Sequence, residues 1–381
     1  MFETPFEAVD LHIFDVHTTV RPLVFNNCLQ EGFRFLAEPD AYRAQYAGGK
    51  TILTKSFDIH TLSKHSQTQN HLWKNYLNRF EDSTIDYWKL QAPFICSLRQ
   101  PTVSLDENLG FQGRISPLVY LSALGWSSNL NIHLRGNIQI SALLDFILGI
   151  IGKDDPTSTG TGTGLKLNGH SAKLAGVFSA LAKQLLQEVY DPANPPTTRG
   201  PELPRHIIVS LSKFKGPPLA YQRTISTRGM TNADQALLHS LVRGERIMPR
   251  ELGKKLRETT PTMVSFGPGP DFMLIYFDYG TLVFMQNSAR QNDLRQRRLS
   301  CVAANIRSYA MMIWSMYYFS LATKDASNKA VIDLRDLVRA NLMSMKHSYL
   351  STAENMRGSV RYAKALFQNH DGLSKLLPEP T

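Results

Sequence analysis

Near Ala289 the spacing of the apolar residues changes, and this change divides the chain into a strand-rich part and a helical part. Upstream, three apolar runs lie within 261–286 and are separated by the turn residues 267–270 and 279–280. Short apolar runs joined by turns that contain glycine and proline are typical of an antiparallel meander. Downstream, apolar residues recur every three or four positions, as on the faces of an α-helix: Leu299, Val302, Ile306, Tyr309, Ile313 and Met316.

Two more helices are predicted after this one. The second carries an apolar stripe at helical spacing: Val331, Leu334, Val338, Leu342, Met345 and Tyr349. The third begins with a capping box at Ser351 and Glu354 and continues to Phe367. The C-terminal part is therefore expected to be a helical bundle, with a tail over 371–381.

The N-terminal part has a mixed pattern. Apolar and polar residues alternate at 9–14 and at 130–135, as they do in half-buried strands. Between them, the spacing of the apolar residues in 73–80 predicts a helix, and 141–151 predicts a short apolar helix. With the meander and the C-terminal helices, this pattern predicts an α+β fold: an N-terminal mixed α/β region, a central β-meander and a helical C-terminal bundle.

Two breaks interrupt the chain before the meander. Residues 152–171 are rich in glycine and threonine, and 191–205 contain five prolines, which favours an extended connector. A short amphipathic helix is predicted between them, at 172–190. The predicted division is a mixed α/β domain (1–151), a flexible loop with the amphipathic helix and the proline-rich connector (152–205), an α+β region with the three-stranded meander (206–288), a basic helical region (289–370) and a tail (371–381).

Charge is distributed unevenly along the chain. Of the formal net charge of +10, residues 287–370 carry +8, from 13 Lys and Arg against 5 Asp and Glu. Residues 1–150 sum to −2, from 12 basic against 14 acidic residues. An excess of positive charge in a helical region indicates a polyanionic or acidic partner, such as DNA, RNA or an acidic protein surface.

Three groups of basic residues are candidates for phosphate contacts. Each lies on, or directly before, a predicted helix, and no acidic residue shares the stripe of the last group. Solvated helix surfaces are the alternative interpretation of all three. The candidate nucleic-acid-binding residues are Arg250, Lys254 and Arg257; Arg295, Arg297 and Arg298; and Arg357, Arg361 and Lys364.

Several other classes of protein do not fit the sequence. The glycine-rich run 160–166 is not a P-loop, because Leu165 stands where glycine must precede the lysine. Three widely spaced cysteines do not form a disulfide framework or a thiolate zinc site, and the start of the chain lacks a basic, apolar leader. The most lipid-like stretch, 308–323, has 16 uncharged residues, fewer than the roughly 20 that a membrane span needs. We therefore expect a cytoplasmic protein with no integral membrane span and no cofactor.

These observations favour a non-catalytic, nucleic-acid-associated subunit of a larger assembly, with protein partners or self-association. Two alternatives stay open. One is a metal-dependent hydrolase that uses Asp10 and His12 with a downstream histidine such as His60, because carboxylates and imidazoles alternating on a strand can hold a divalent metal. The strand resembles the Asp-x-His-x-His strand of amidohydrolases, except that Phe14 stands at the second histidine. The other alternative is a peripheral protein that binds an anionic membrane surface.

Overall fold

The chain folds around one large mixed sheet with helices on both faces. The structure is a computed structural model, and it describes residues 5–19, 52–53, 57–60, 94–98, 102–107, 109–122, 124–151, 164–188, 198–199, 206–214, 220–221, 227–228, 231–265, 272–277, 280–286, 292–350 and 358–376.

Sixteen strands form three sheets among the described residues. Those before the proline-rich connector are Phe6–Thr19 (β1), Ile52–Leu53 (β2), Phe57–His60 (β3), Phe94–Leu98 (β4), Val103–Leu105 (β5), Gln112–Ser122 (β6), Gly125–Ile138 (β7), Leu165–Leu167 (β8) and His170–Ser171 (β9). The others are Thr198–Arg199 (β10), His206–Phe214 (β11), Ala220–Tyr221 (β12), Thr227–Arg228 (β13), Thr262–Ser265 (β14), Phe272–Tyr276 (β15) and Gly280–Gln286 (β16).

The largest sheet has 11 strands in the order β14-β15-β16-β11-β1-β7-β6-β4-β3-β2, with β10 paired to β1. Its neighbours pair antiparallel except β11 and β16, which run parallel. Strands β12 and β13 form a small separate sheet, and β5, β8 and β9 form another. The long antiparallel pairing of β1 with β7 lies at the centre of the large sheet.

Eight helices are present among the described residues. They are Ile140–Ile151 (α1), Leu174–Glu188 (α2), Asn232–Arg243 (α3), Leu252–Glu258 (α4), Asn292–Ala322 (α5), Lys329–Leu350 (α6), Gly358–Asn369 (α7) and Asp371–Leu376 (α8). None of them combines the length and the apolar character that a membrane span requires.

Alternation along β1 sends its side chains into two different cores, because successive residues of a strand point to opposite faces. Val9, Leu11 and Ile13 join a core with apolar residues of α1, α2 and α3. Phe14 and Val16 join the other core, with apolar residues of α5, α6 and α7. The large sheet is therefore the middle of three layers, and α5 is a main contact of the second face.

The α+β fold class is confirmed, and so is each strand of the predicted meander. The predicted helices at 141–151 and 172–190 are confirmed as α1 and α2. The helix predicted at 73–80 lies outside the described residues, as does the capping box predicted for the third C-terminal helix.

The predicted division into domains stays a prediction. Strand β1, from the first predicted range, pairs with β11 from the third, so one sheet includes strands from both. The tail predicted over 371–381 is helical in its first six residues, where α8 places Leu373 in the second core. The apolar stripes of α6 and α7 pack with α5 in that core.

Helix α3 has both of the ends that its sequence encodes. The Thr231 hydroxyl accepts a hydrogen bond from the Asp234 backbone N–H, and the Asp234 carboxylate accepts one from the Thr231 backbone N–H. Gly244 ends the helix in the left-handed conformation, at φ 59°, which glycine adopts without the steric penalty of a side chain.

Candidate functional site

On the second face of the sheet, next to the area that α5 covers, β1 carries polar side chains instead of apolar ones. Asp10 and His12 share this face of β1 with Phe14 and Val16, because their positions alternate along the strand. In the register between β1 and β7, Asp10 lies opposite His133 and His12 lies opposite Asn131. Four polar side chains of two central strands are thus adjacent.

Asp10, His133 and Arg135 form a chain of contacts. The Nδ1–H of His133 donates to the Asp10 carboxylate, and the Arg135 Nε–H donates to the His133 Nε2 atom at 2.9 Å. A ring nitrogen that accepts a hydrogen bond carries no proton, so in this arrangement the ring proton of His133 is on Nδ1. The side chain of His133 is 40% exposed, so solvent and ligands can reach it.

His12 is held by a second set of contacts. Its Nδ1 atom lies 2.8 Å from the Asn131 Oδ1 atom and 3.4 Å from the Arg307 guanidinium, which α5 supplies. The shorter contact, to Asn131, places the proton on Nδ1. Burial, and secondarily the positive charge of Arg307, lower the pKa of His12 to about 4. His12 is therefore neutral near pH 7.

Arg114 extends this surface onto β6. It is exposed, and it lies opposite His133 in the pairing of β6 with β7. Among the residues that the structure describes, no carboxylate forms an ion pair with Arg114, Arg135 or Arg307, and the Asp10 carboxylate is held by His133. We call this surface the polar face; its residues are Asp10, His12, Arg114, Asn131, His133, Arg135 and Arg307.

The predicted basic residues around α4 lie elsewhere on the molecule. Arg250 precedes the helix in a turn, Lys254 and Arg257 lie within it, and all three are exposed. Lys254 lies 3.9 Å from the Glu258 carboxylate, at the next turn of the helix. An acidic side chain therefore partly neutralises the positive charge of this surface, although Arg250 and Arg257 are open to solvent.

Two basic residues that precede this group in the sequence, Arg243 and Arg246, have acidic partners. Arg243 is buried and lies 3.4 Å from the Glu245 carboxylate. Arg246 forms an ion pair with Asp145 of α1 at 2.5 Å. A single cationic stripe from Arg243 to Arg257 is not formed, because α3 ends at Gly244, and because Glu245 lies beside Arg243 and Asp145 beside Arg246.

The structure describes the predicted phosphate-contacting residues of the C-terminal part to different extents. Arg295, Arg297 and Arg298 lie in the first turns of α5, and their side chains are outside the described part. Arg357 also lies outside it. Arg361 and Lys364 are on α7, are partly buried and already have interaction partners. Phosphate binding by these residues stays a prediction.

The residues of the metal hypothesis are not brought together. His60 ends β3, which is separated from β1 by β7, β6 and β4 in the sheet. Neighbouring strands lie about 4.8 Å apart, so β3 is on the order of 19 Å from β1. No group of three or more His, Cys, Asp or Glu residues suited to a metal ion occurs within the described residues.

Sequence reasoning missed five residues of the polar face: Arg114, Asn131, His133, Arg135 and Arg307. The alternation Asn131-x-His133-x-Arg135 on a predicted strand was a signal, since it matches the alternation Asp10-x-His12. What the sequence lacks is the pairing of these two strands, which are about 120 residues apart in the chain.

Comparisons of this chain with protein-family models, with curated proteins and with solved structures found no match.

Proposed function

We propose that the chain binds the phosphate backbone of nucleic acid through the polar face. The observation that carries this proposal is the grouping of Arg114, Arg135 and Arg307 on one sheet face without a carboxylate partner among the described residues. Guanidinium groups donate paired hydrogen bonds to phosphate oxygens. The candidate interface therefore moves from the predicted basic residues around α4 and in the C-terminal helices to the junction of α5 with the sheet.

The positions of these arginines suit a chain of phosphates better than a single anion. Arg114 and Arg135 lie on neighbouring strands, diagonal to each other across the β6–β7 pairing, and diagonal positions are about 7–8 Å apart. Arg307 approaches from α5, on the side of His12. Contacts of this kind fix a backbone in place and read no sequence, so we expect similar affinity for different sequences.

The rest of the prediction, membership of a larger assembly in the cytoplasm, is kept as part of the proposal. The apolar stripes of α6 and α7 are used inside the second core. A partner subunit would therefore have to bind elsewhere, and the cationic surface around α4 is one place where an acidic protein surface would fit.

The test is fluorescence anisotropy with labelled single-stranded RNA, single-stranded DNA and duplexes at several salt concentrations. We expect the affinity of the native chain to fall as salt rises, because bound phosphates release counterions. The double variant R114A/R135A removes two charges of the polar face, and we expect the salt slope on duplex DNA to decrease by roughly 2.

The double variant R250A/R257A is a matched control, because it removes the same charge from exposed residues around α4. We expect it to bind almost as tightly as the native chain. Equal losses in the two variants would refute the polar face as the specific interface, because they would fit an effect of net charge or binding by the residues around α4. No loss in R114A/R135A would refute it as well. Absence of binding to every probe at low salt would refute the function.

A further inference from the structure

We propose that the polar face also cleaves RNA, with His12 and His133 as the proton-transfer groups. This inference rests on the proposed function, because the polar face must first hold the phosphate backbone. It goes beyond that function because binding requires only the arginines, whereas the histidines have an arrangement that binding does not need.

Both imidazoles are fixed in the same tautomer. The Nδ1 atom of His133 faces the Asp10 carboxylate, and the Nδ1 atom of His12 faces the Asn131 side-chain oxygen. An oxygen acceptor at Nδ1 keeps the proton there and leaves a lone pair on Nε2. Each ring therefore has one nitrogen anchored by the fold and a second nitrogen that can exchange a proton.

The two rings are also suitably spaced. His12 lies opposite Asn131 and His133 lies opposite Asp10, so the histidines occupy diagonal positions on neighbouring strands. Such positions are about 7–8 Å apart at the backbone, within reach of side chains that converge on one group between them. A phosphodiester held by Arg135 and Arg307 would lie between two imidazoles.

Their surroundings assign them different roles. His12 is neutral near pH 7, because burial and the charge of Arg307 lower its pKa to about 4, so it can accept a proton but has none on Nε2 to donate. The Nδ1–H of His133 faces the Asp10 carboxylate, so Nε2 is the nitrogen of this ring that would carry a proton to the leaving group. In the structure the Arg135 Nε–H donates to this Nε2 atom, so the proposed reaction requires that a bound phosphate takes over the Arg135 guanidinium first.

The reaction is an intramolecular transesterification. His12 removes the proton from the ribose 2′-hydroxyl, and that oxygen forms a bond to phosphorus while the bond from phosphorus to the 5′-oxygen breaks. His133 gives its Nε2 proton to the leaving 5′-oxygen. The products are a 2′,3′-cyclic phosphate and a 5′-hydroxyl, and water returns the protons to their starting positions.

The arginines complete the site. Negative charge builds up on the phosphoryl oxygens as the 2′-oxygen attacks, and guanidinium groups stabilise that charge. Arg114, Arg135 and Arg307 supply three of them around the two histidines. DNA would bind and stay intact, because it lacks the 2′-hydroxyl that serves as the nucleophile.

The experiment incubates the full chain with a 5′-labelled single-stranded RNA in EDTA and resolves the products on a gel. The same oligonucleotide with 2′-deoxyribose at every position is the substrate control. We expect RNA fragments that end in a cyclic phosphate and no cleavage of the deoxy substrate. Substitution of either histidine by alanine is expected to slow cleavage by about 10²–10⁴-fold.

Two controls keep the outcomes distinct. R250A/R257A, purified in the same way, should cleave at the native rate. A contaminating nuclease would be present in every preparation, so loss of cleavage in H12A and H133A, but not in R250A/R257A, excludes it. H12A and H133A should still bind the RNA in the anisotropy assay, which shows that they fold. Three outcomes would overturn the inference and leave the proposed function standing: the native chain binds RNA without cleaving it, both substrates are cleaved equally, or H12A and H133A cleave at unchanged rates. Absence of binding would overturn both.

Discussion

His239 should make the stability of the fold depend on pH. It lies on α3, is 3% exposed, and its Nδ1 atom forms a hydrogen bond with the Tyr276 hydroxyl at 2.5 Å. Arg243 lies over the ring of the same tyrosine, 5.7 Å from its centroid. Burial, and secondarily the charge of Arg243, lower the pKa of His239 to about 4 from its ordinary value of 6.5.

The sign and size of the effect follow from this shift. Between pH 6.5 and pH 4 the unfolded chain binds a proton at His239 and the folded chain does not, so acidification favours unfolding. The stabilisation is complete above pH 6.5 and is lost as the pH falls towards 4. One pKa unit is equivalent to about 1.4 kcal/mol, so roughly 2.5 kcal/mol of unfolding free energy should be lost by pH 4.5.

The measurement is urea unfolding of the native chain and of His239→Gln at pH 7.5 and pH 4.5. Glutamine can still accept the Tyr276 hydrogen bond but does not titrate, so the variant should lose about 2.5 kcal/mol less between the two conditions. Other titrating groups, His12 and His17 among them, are common to both proteins and cancel in the difference. Equal losses in the two proteins would refute the assignment of a neutral, buried His239.

Two further predictions concern single positions in the fold. Gly280→Ala should destabilise the protein by more than 1 kcal/mol, because the new methyl group would overlap the backbone carbonyl oxygens of Ile207 and Val242; an unchanged urea midpoint would contradict this close packing. Thr231→Ala should cost about 1 kcal/mol by removing the cap that Asp234 completes, whereas Thr231→Ser should restore it; equal midpoints for alanine and serine would contradict the capping role.

Elements encoded by neighbouring residues could be predicted from the sequence. The ends of α3 follow from Thr231, Asp234 and Gly244, which interact only with residues close to them in the chain. The strands of the meander are joined by turns whose glycine and proline residues limit the backbone locally. Such features need no knowledge of the rest of the fold, and the structure confirms them.

The candidate site depends on contacts that are distant in sequence. Asp10 meets His133, and Arg307 meets His12, only after β1 pairs with β7 and α5 packs on the sheet. A single sequence shows which residues share a strand face, but it does not show which strands become neighbours. The same limit applies to the basic residues near α4. A single sequence does not show that Arg246 pairs with Asp145, which lies on α1.

The position of the polar face follows from how α5 covers the sheet. On the second face of β1, Phe14 and Val16 lie under apolar residues of α5, whereas Asp10 and His12 come earlier on the same strand. Arg307 precedes most of the α5 residues that fill this core, so one helix both buries the apolar end of the strand and supplies a charge to its polar end. The rigid packing of α5 should therefore fix the distance between Arg307 and the sheet. Proton transfer requires side chains that are placed precisely, on helices and strands rather than on loops. Simple electrostatic attraction does not require such precision.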